Sequence, residues 1–490
     1  MSSTKVVTFL IFVFLAFFLS IWLSKPLNSY FSQDDFFHLR MIMDKGFSDI
    51  PSFFINRLEG QTFYRPISRE LYNLVMYKLY GLNPLPFHLV NLILILVNLK
   101  LVYLFIKLFS KNSVAPYLTS IIYLFSSIHS IELYYLSSIQ TLLMTTFALL
   151  SCICFVKFIE LRVINYYLGA VLLFSAALFC HESAIILPSI MFLIIFVVKG
   201  SNIKKKIIFL IPIFILMGLY YLSLGQITNL PSQQVYQPVF QPKVILNSLG
   251  WYILWSFGIP EMLVDFVKPR LILKDEFFLW YGYYAKIVFP LLLILFTGFL
   301  FTVWRSKRTL FTKYSIFLIA CFLISVSPFL FFPQHKFVYY LGFPIVWFSA
   351  ILGLILSELW VAGKIHKGVV ALFLLTFLII SNQTVDLNSE THWAAKRAKS
   401  AEVLMQQFKK DYPILQKGSI FYITDDPNYP FISKEWGTSS KQAFYILSGS
   451  DALKLLYKDS SIKVYYEAIE GIPNNLNPNN LISFTAKFPY

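Results

Sequence analysis

Asp34 and Asp35 stand side by side a short way past an apolar stretch, residues 6–23. An ionised carboxylate can take a proton from a hydroxyl, shelter a centre that becomes electron-poor, or join a second carboxylate around a divalent cation. Beside an apolar stretch such a pair has no place facing lipid, and charged groups near membrane depth face a cavity, a substrate or a partner. The plainer reading is a solvated loop pair. Adjacent side chains also need not share one site: if a helix begins near Asp34, one Asp caps it while the other faces the cavity.

Candidate cations and donors are spread further along the chain. Arg65 offers a fork that holds a phosphate in two bonds, Lys336 offers a point charge, and His335 stands beside it. His181 and Glu182 open an apolar run, where charge is costly unless used. Each has a structural reading too. Arg65 can pair with Glu59, Glu70 or the acidic pair, Glu182 can stabilise a helix N-terminus, and His335 and Lys336 can anchor a span at the headgroups. His88 begins an apolar run with Asn91 nearly one turn on, and reads as a core histidine rather than a catalyst.

The elements that must position these residues are membrane helices. Of the 490 residues, 57% are hydrophobic and 13% charged, against about a quarter charged in soluble domains. Mean hydropathy is +0.66. The net charge of +16 sits in short loops between apolar runs, as positive-inside bias places it, so a nucleic-acid partner is rejected. Segment 6–23 follows Lys5 and lacks a small-residue cleavage site, which makes it a retained signal anchor. Runs of spanning or near-spanning length cover 87–106, 114–128, 136–156, 166–179, 184–198, 207–224, 280–304, 314–332, 338–356 and 368–380.

Alternation from a cytoplasmic Lys5 puts Lys107/Lys111, Lys157/Arg162 and Lys204–Lys206 inside. It puts Glu132, His181–Glu182 and the polar loop 225–243 outside. Keeping Arg305, Lys307, Arg308, Lys313, Lys364 and Lys367 inside then requires 244–266 to make no net crossing, with Gly258 and Pro260 breaking it midway. The expected fold class is an all-α polytopic membrane protein of about eleven spans with a large first outer loop, 25–86, and an external C-terminus.

Near residue 382 the composition turns polar, and a small α/β soluble domain, 383–490, is expected after a membrane domain, 1–382. In it 391–410 reads as a basic helix (Lys396, Arg397, Lys399), 419–424 and 462–466 as strands, and 441–457 as a helix broken at Gly449. Cys152, Cys154, Cys180 and Cys321 lie in or beside apolar runs and propose neither a disulfide framework nor a metal site.

In the first outer loop, Asp34-Asp35 is followed by Tyr64-Arg65-Pro66, by Gly81/Asn83/Pro84 and by Phe87-His88/Asn91. In that order these motifs resemble the GT-C glycosyltransferases, most closely the branch of protein O-mannosyltransferases and their bacterial ArnT-like relatives. The resemblance covers roughly 6–380. His181-Glu182 looks like a charged pair that precedes the family's sixth span, with His where Lys is common. Pro333-Gln334-His335-Lys336 with Tyr339-Tyr340 looks like a late outer loop that often carries Arg-Tyr, so His335 or Lys336 would replace the Arg as phosphate ligand.

The resemblance implies a polyprenyl-phosphate sugar donor held in membrane lipid, and inverting, metal-independent transfer of a hexosyl or mannosyl group. An Asp of the pair would be the base. The acceptor would be a hydroxyl of a protein, a lipid or a polysaccharide of the cell envelope, on the extracytoplasmic face. No cofactor is expected. Because the oligosaccharide-transferring GT-C enzymes use acidic motifs with a metal, Mg or Mn at Asp34/Asp35 is the alternative. Sugar, acceptor and oligomeric state are left open. The rival classes are a transporter and an inactive scaffold of the same shape. The middles of the spans are nearly free of charge and no inverted repeat is apparent, which favours a one-sided active site over alternating access.

Overall fold

The computed structural model describes residues 24–55, 63–110, 112–198, 206–227, 236–268, 272–305, 312–430, 437–471 and 481–489. The anchor 6–23 with Lys5, and Glu59, Lys111, Lys204, Lys205, Lys307 and Arg308, lie outside them. The chain is mostly helical. Every apolar run expected after the anchor forms a helix. Leu85–Phe109, Leu136–Leu161, Asp275–Arg305, Pro344–Ala362 and Lys364–Asp411 are long and apolar enough to cross a membrane. Ala115–Leu124, Ile164–Leu178, Glu182–Val197, Ile208–Leu222 and Lys313–Phe329 are shorter.

Helices that are apolar on all sides either sit in the centre of a bundle or face lipid. Leu136–Leu161 is central, with Leu142, Leu149, Cys152 and Phe155 sealed. Asp275–Arg305 shows Leu279, Leu293 and Leu300 to its surroundings. Where Ala115–Leu124 crosses Pro344–Ala362 the backbones touch: a Cβ on Gly353 would run into Thr119 Oγ1 and lie 2.6 Å from the Thr119 backbone nitrogen. Only glycine permits that approach.

The segment expected to break at Gly258 does so. Helix Pro242–Ser256 ends there with Gly258 at φ +93°, and a 3-10 turn, Glu261–Phe266, leads to a small hairpin pairing Val267–Lys268 with Ile272–Leu273. The irregular backbone is satisfied from within the protein, since Thr384 Oγ1 donates to the Gly258 carbonyl at 2.5 Å.

The composition change near 382 is not a break in the backbone. Helix Lys364–Thr391 runs through it to His392, whose Nδ1 accepts from Ala394 N and caps the next helix, Trp393–Asp411. Strand Ile420–Thr424 then forms the centre of a three-stranded parallel sheet, between Lys463–Tyr466 and Leu481–Thr485, with Ile420 opposite Lys463 and Leu481. Helices Ser439–Leu447 and Asp451–Tyr457 are separated at Gly449, φ +60°. The helices and the first two strands agree with the sequence reading of the tail; the strand Leu481–Thr485 was not expected.

Two large cores result. One runs through the membrane helices, from Val102 and Phe105 through Leu149 and Phe155 to Trp347 and Phe377. The other belongs to the tail, built on Leu404, Met405, Phe408, Phe421, Ile446 and Leu453, and it includes Phe31, Phe36, Leu39 and Met43 from the segment around the acidic pair.

Candidate functional site

Asp34 and Asp35 open a short helix, Asp34–Ile42, where acidic side chains suit the positive end of the helix dipole. Gln33, just ahead, has φ +52°, a conformation that favours glycine, and its N–H donates to the Ile446 carbonyl of the tail at 2.9 Å. The helix packs Phe36 and Leu39 into the tail core, and Arg40 pairs with Asp451 at 2.9 Å.

The two carboxylates part company at once. Asp35 is 5% exposed and accepts three hydrogen bonds, from Ser32 N at 3.1 Å, Ser137 N at 2.9 Å and Ser137 Oγ at 2.7 Å. Burial pushes its pKa up to about 7 against the pull of those donors, with the Asp34 charge adding to the rise. Asp34 is exposed and lines a cavity of about 230 Å³, where Tyr135 OH donates to its Oδ2.

Arg65 reaches the same cavity from the other core. Pro66 begins a π-type turn, Pro66–Leu71, and such turns often mark functional positions. Ile67 N donates to the Phe179 carbonyl at 3.2 Å and Ser68 Oγ to that of Cys180 at 2.6 Å. This pins the Tyr-Arg-Pro segment against the corner that becomes His181-Glu182. Arg65 therefore meets Glu182 in two bonds, Nε to Oε2 at 2.8 Å and Nη2 to Oε1 at 2.6 Å, and its Nη1 donates to Gln140 Oε1. Burial opposes the guanidinium charge, but Glu182 outweighs it and raises the Arg65 pKa. Glu70, a possible partner by sequence, instead pairs with Arg69 at 2.8 Å.

His181 lines the cavity, with Nδ1 accepting from Ser183 N at 3.2 Å. His335 lines it as well, its ring 4.5 Å from that of Tyr236. Burial, with the Arg65 charge adding to it, lowers the His335 pKa to about 4, so this imidazole is neutral at pH 7. Lys336 is not among the lining residues; its Nζ donates to Asn247 at 3.4 Å.

The structure thus brings Asp34, Arg65, His181 and His335 to one cavity, with Glu182 holding Arg65 from behind. Asp35 and Lys336 lie off it. Sequence reasoning missed His38, Arg69, Tyr135, Ser137 and Gln140, all of which line the cavity, and gave no role to the lining pair Tyr339 and Tyr340. Only His38 was signalled, four residues after Asp34 and so on the same helix face. His88 is a buried histidine bonded to the carbonyls of Leu133 and Ser29, each at 2.8 Å.

No protein-family model and no curated protein matches the chain. Among solved structures, the crystal structure of ArnT from Cupriavidus metallidurans in the apo state matches 93% of this chain and 85% of its own, with TM-score 0.52 and 12% identity. The same ArnT bound to undecaprenyl phosphate matches 93% and 86%, with TM-score 0.49 and 12% identity. Across 93% of its length the chain shares the fold of the apo ArnT.

Proposed function

We propose that the chain is a membrane glycosyltransferase that moves a sugar from a polyprenyl-phosphate carrier to a hydroxyl acceptor on the extracytoplasmic face, inverting the anomeric carbon, with Asp34 as base. The observation that carries this is the division of labour in the acidic pair. One carboxylate is open to the cavity that Arg65 also lines, and the other is engaged by three donors.

The acceptor hydroxyl bonds Asp34, which takes its proton as the oxygen attacks the anomeric carbon. The bond from that carbon to the phosphate oxygen breaks, and the electron pair leaves with the phosphate. Three of the five Arg65 N–H groups are engaged by Glu182 and Gln140, leaving two for the phosphate. Tyr135 holds Asp34 in place. The rings of Phe37, Phe63, Tyr236 and Tyr339 give the cavity flat walls, and its volume suits a single sugar ring better than a larger ligand.

A divalent ion does not fit this donor set. Asp35 lies off the cavity with three donors on its oxygens and Glu182 is committed to Arg65, which leaves Asp34 without a second carboxylate. Among the described residues no three acidic, His or Cys side chains gather as ligands. The proposed transfer needs neither Mg nor Mn, because Arg65 supplies the positive charge beside the phosphate.

The deciding experiment is consumption of labelled polyprenyl-phosphate sugars, corrected for hydrolysis, by the full chain in lipid. Asp34→Asn should lower turnover roughly a hundredfold to ten-thousandfold, and EDTA should change nothing. No turnover with any donor, with donor binding unchanged in Asp34→Asn and Asp35→Asn, would remove the proposal and leave a transporter or an inactive scaffold.

A further inference from the structure

The cavity holds an imidazole that this chemistry leaves unused. His38 lies one turn along the helix from Asp34, is 8% exposed and lines the same cavity. Its Nδ1 is 3.1 Å from Ser137 Oγ, which is 2.7 Å from Asp35 Oδ1. The hydrogens in this chain follow from what each group can do. At pH 8, above its pKa of about 7, the Asp35 carboxylate is ionised and only accepts, so Ser137 gives its one hydroxyl proton to it. The Ser137 oxygen then offers His38 only lone pairs, and Nδ1 must carry the ring hydrogen.

Burial, with the Arg69 and Arg65 cations nearby, keeps the ring from taking a second proton, its pKa lying well below the usual range. Nε2 is left with a lone pair, and it makes no hydrogen bond to any described residue. Nε2 is not among the sealed polar atoms of the described residues, so it is open at the cavity wall, where a ligand hydroxyl can supply the hydrogen.

We propose that His38 is a specificity-determining residue whose Nε2 accepts a hydrogen bond from a hydroxyl of the transferred sugar, held in that tautomer by Ser137 and Asp35. This rests on the sugar-transfer proposal. The second carboxylate thereby gains a positioning role. Asp35 never meets the substrate, but through Ser137 it makes the cavity-facing nitrogen an acceptor. A sugar with a hydroxyl at that position satisfies the nitrogen, and one with hydrogen there leaves it bare.

The experiment uses the full chain in lipid nanodiscs at pH 8, with polyprenyl-phosphate mannose, glucose and galactose, and then the monodeoxy analogues of whichever is turned over. His38→Asn keeps an amide N–H near Nδ1 for Ser137 and removes the acceptor at Nε2, while His38→Gln reaches the Nε2 position with a carbonyl. His38→Asn should lower kcat/KM roughly tenfold to a hundredfold with the full sugar. One deoxy analogue should lower the wild type by the same factor and show no further loss in His38→Asn, and His38→Gln should recover part of the activity.

An equal loss on every analogue, or none, overturns the role of His38 while leaving sugar transfer standing. A wild type silent with all three donors overturns both proposals together. Nitrogen-15 shifts of the histidine rings, with His38 assigned by its loss in His38→Asn, are independent of turnover. They should show a neutral ring with hydrogen on Nδ1, and hydrogen on Nε2 instead overturns the proposal whatever the kinetics.

Discussion

The two walls of the cavity belong to different cores. Arg65 and its partner Glu182 are fixed by the membrane bundle, through Tyr64, Phe179, Cys180 and the start of helix Glu182–Val197. Asp34 rides on a helix whose apolar side is buried in the tail, beside Phe408 and Leu453. Asp34 and Arg65 thus meet across a seam, and their spacing depends on how firmly the tail holds the acid helix. The bonds from Ser137 to Asp35 and from Tyr135 to Asp34 cross that seam from the bundle side.

The largest break expected in this arrangement comes from hollowing the tail core. Leu404→Ala should cost about 2–5 kcal/mol there. Hydrogen exchange should quicken in 31–43 together with 401–455 and hold steady in 136–161. Faster exchange confined to the tail would show that the acid helix stands on its own.

A second test exploits the burial of Asp35 at the seam. Its folded pKa, about 7, lies above the ordinary 3.8, so the folded state holds a proton that the unfolded chain has released between those values. Stability from this group is full below pH 4 and is lost as pH rises towards 7, by up to about 4 kcal/mol. Thermal melts should show the wild type falling over that window relative to Asp35→Asn, whose slope should be flatter. Parallel slopes would mean that Asp35 is not sealed.

On the bundle side, Gly353→Ala should cost about 1–3 kcal/mol by forcing Thr119 away. Exchange should quicken in 115–124 and 344–362 and leave the acid helix unchanged, which separates the two cores from the other direction. The smallest effect is at Gln33. Gln33→Gly relieves a left-handed backbone at some cost in chain entropy, for a net gain within about 1 kcal/mol. Melting with turnover intact would show a small rise; a clear fall would mean that the glutamine side chain, and not the Ile446 bond, holds the turn.

Much of this was legible in the sequence because it is local. The apolar runs became helices, Gly258 and Gly449 broke their segments, and two of the three tail strands fell where they were expected. Asp34, Arg65 and His181 were visible as charge or polarity where an apolar chain tolerates little. What stayed hidden depends on side-chain direction and distant packing. His335 and Lys336 are neighbours in sequence, yet one ring faces the cavity and the other side chain turns to Asn247. Tyr135, Ser137 and Gln140 read as ordinary residues opening a span. Phe36, Leu39 and Met43 announce a buried face without naming the surface that covers it, some 400 residues on in a tail that composition marked as separate.

That separation carries a consequence for biogenesis. Arg40 and Asp451 are 411 positions apart, and Gln33 waits for the Ile446 carbonyl. During synthesis the acid helix emerges early, with a greasy face and an awkward turn, and finds its seat only when the last part of the chain is made. A chain that stops before residue 446 carries every group of the cavity that the bundle supplies but lacks the seat that orders Asp34, so the cavity is completed only by the last part to be made.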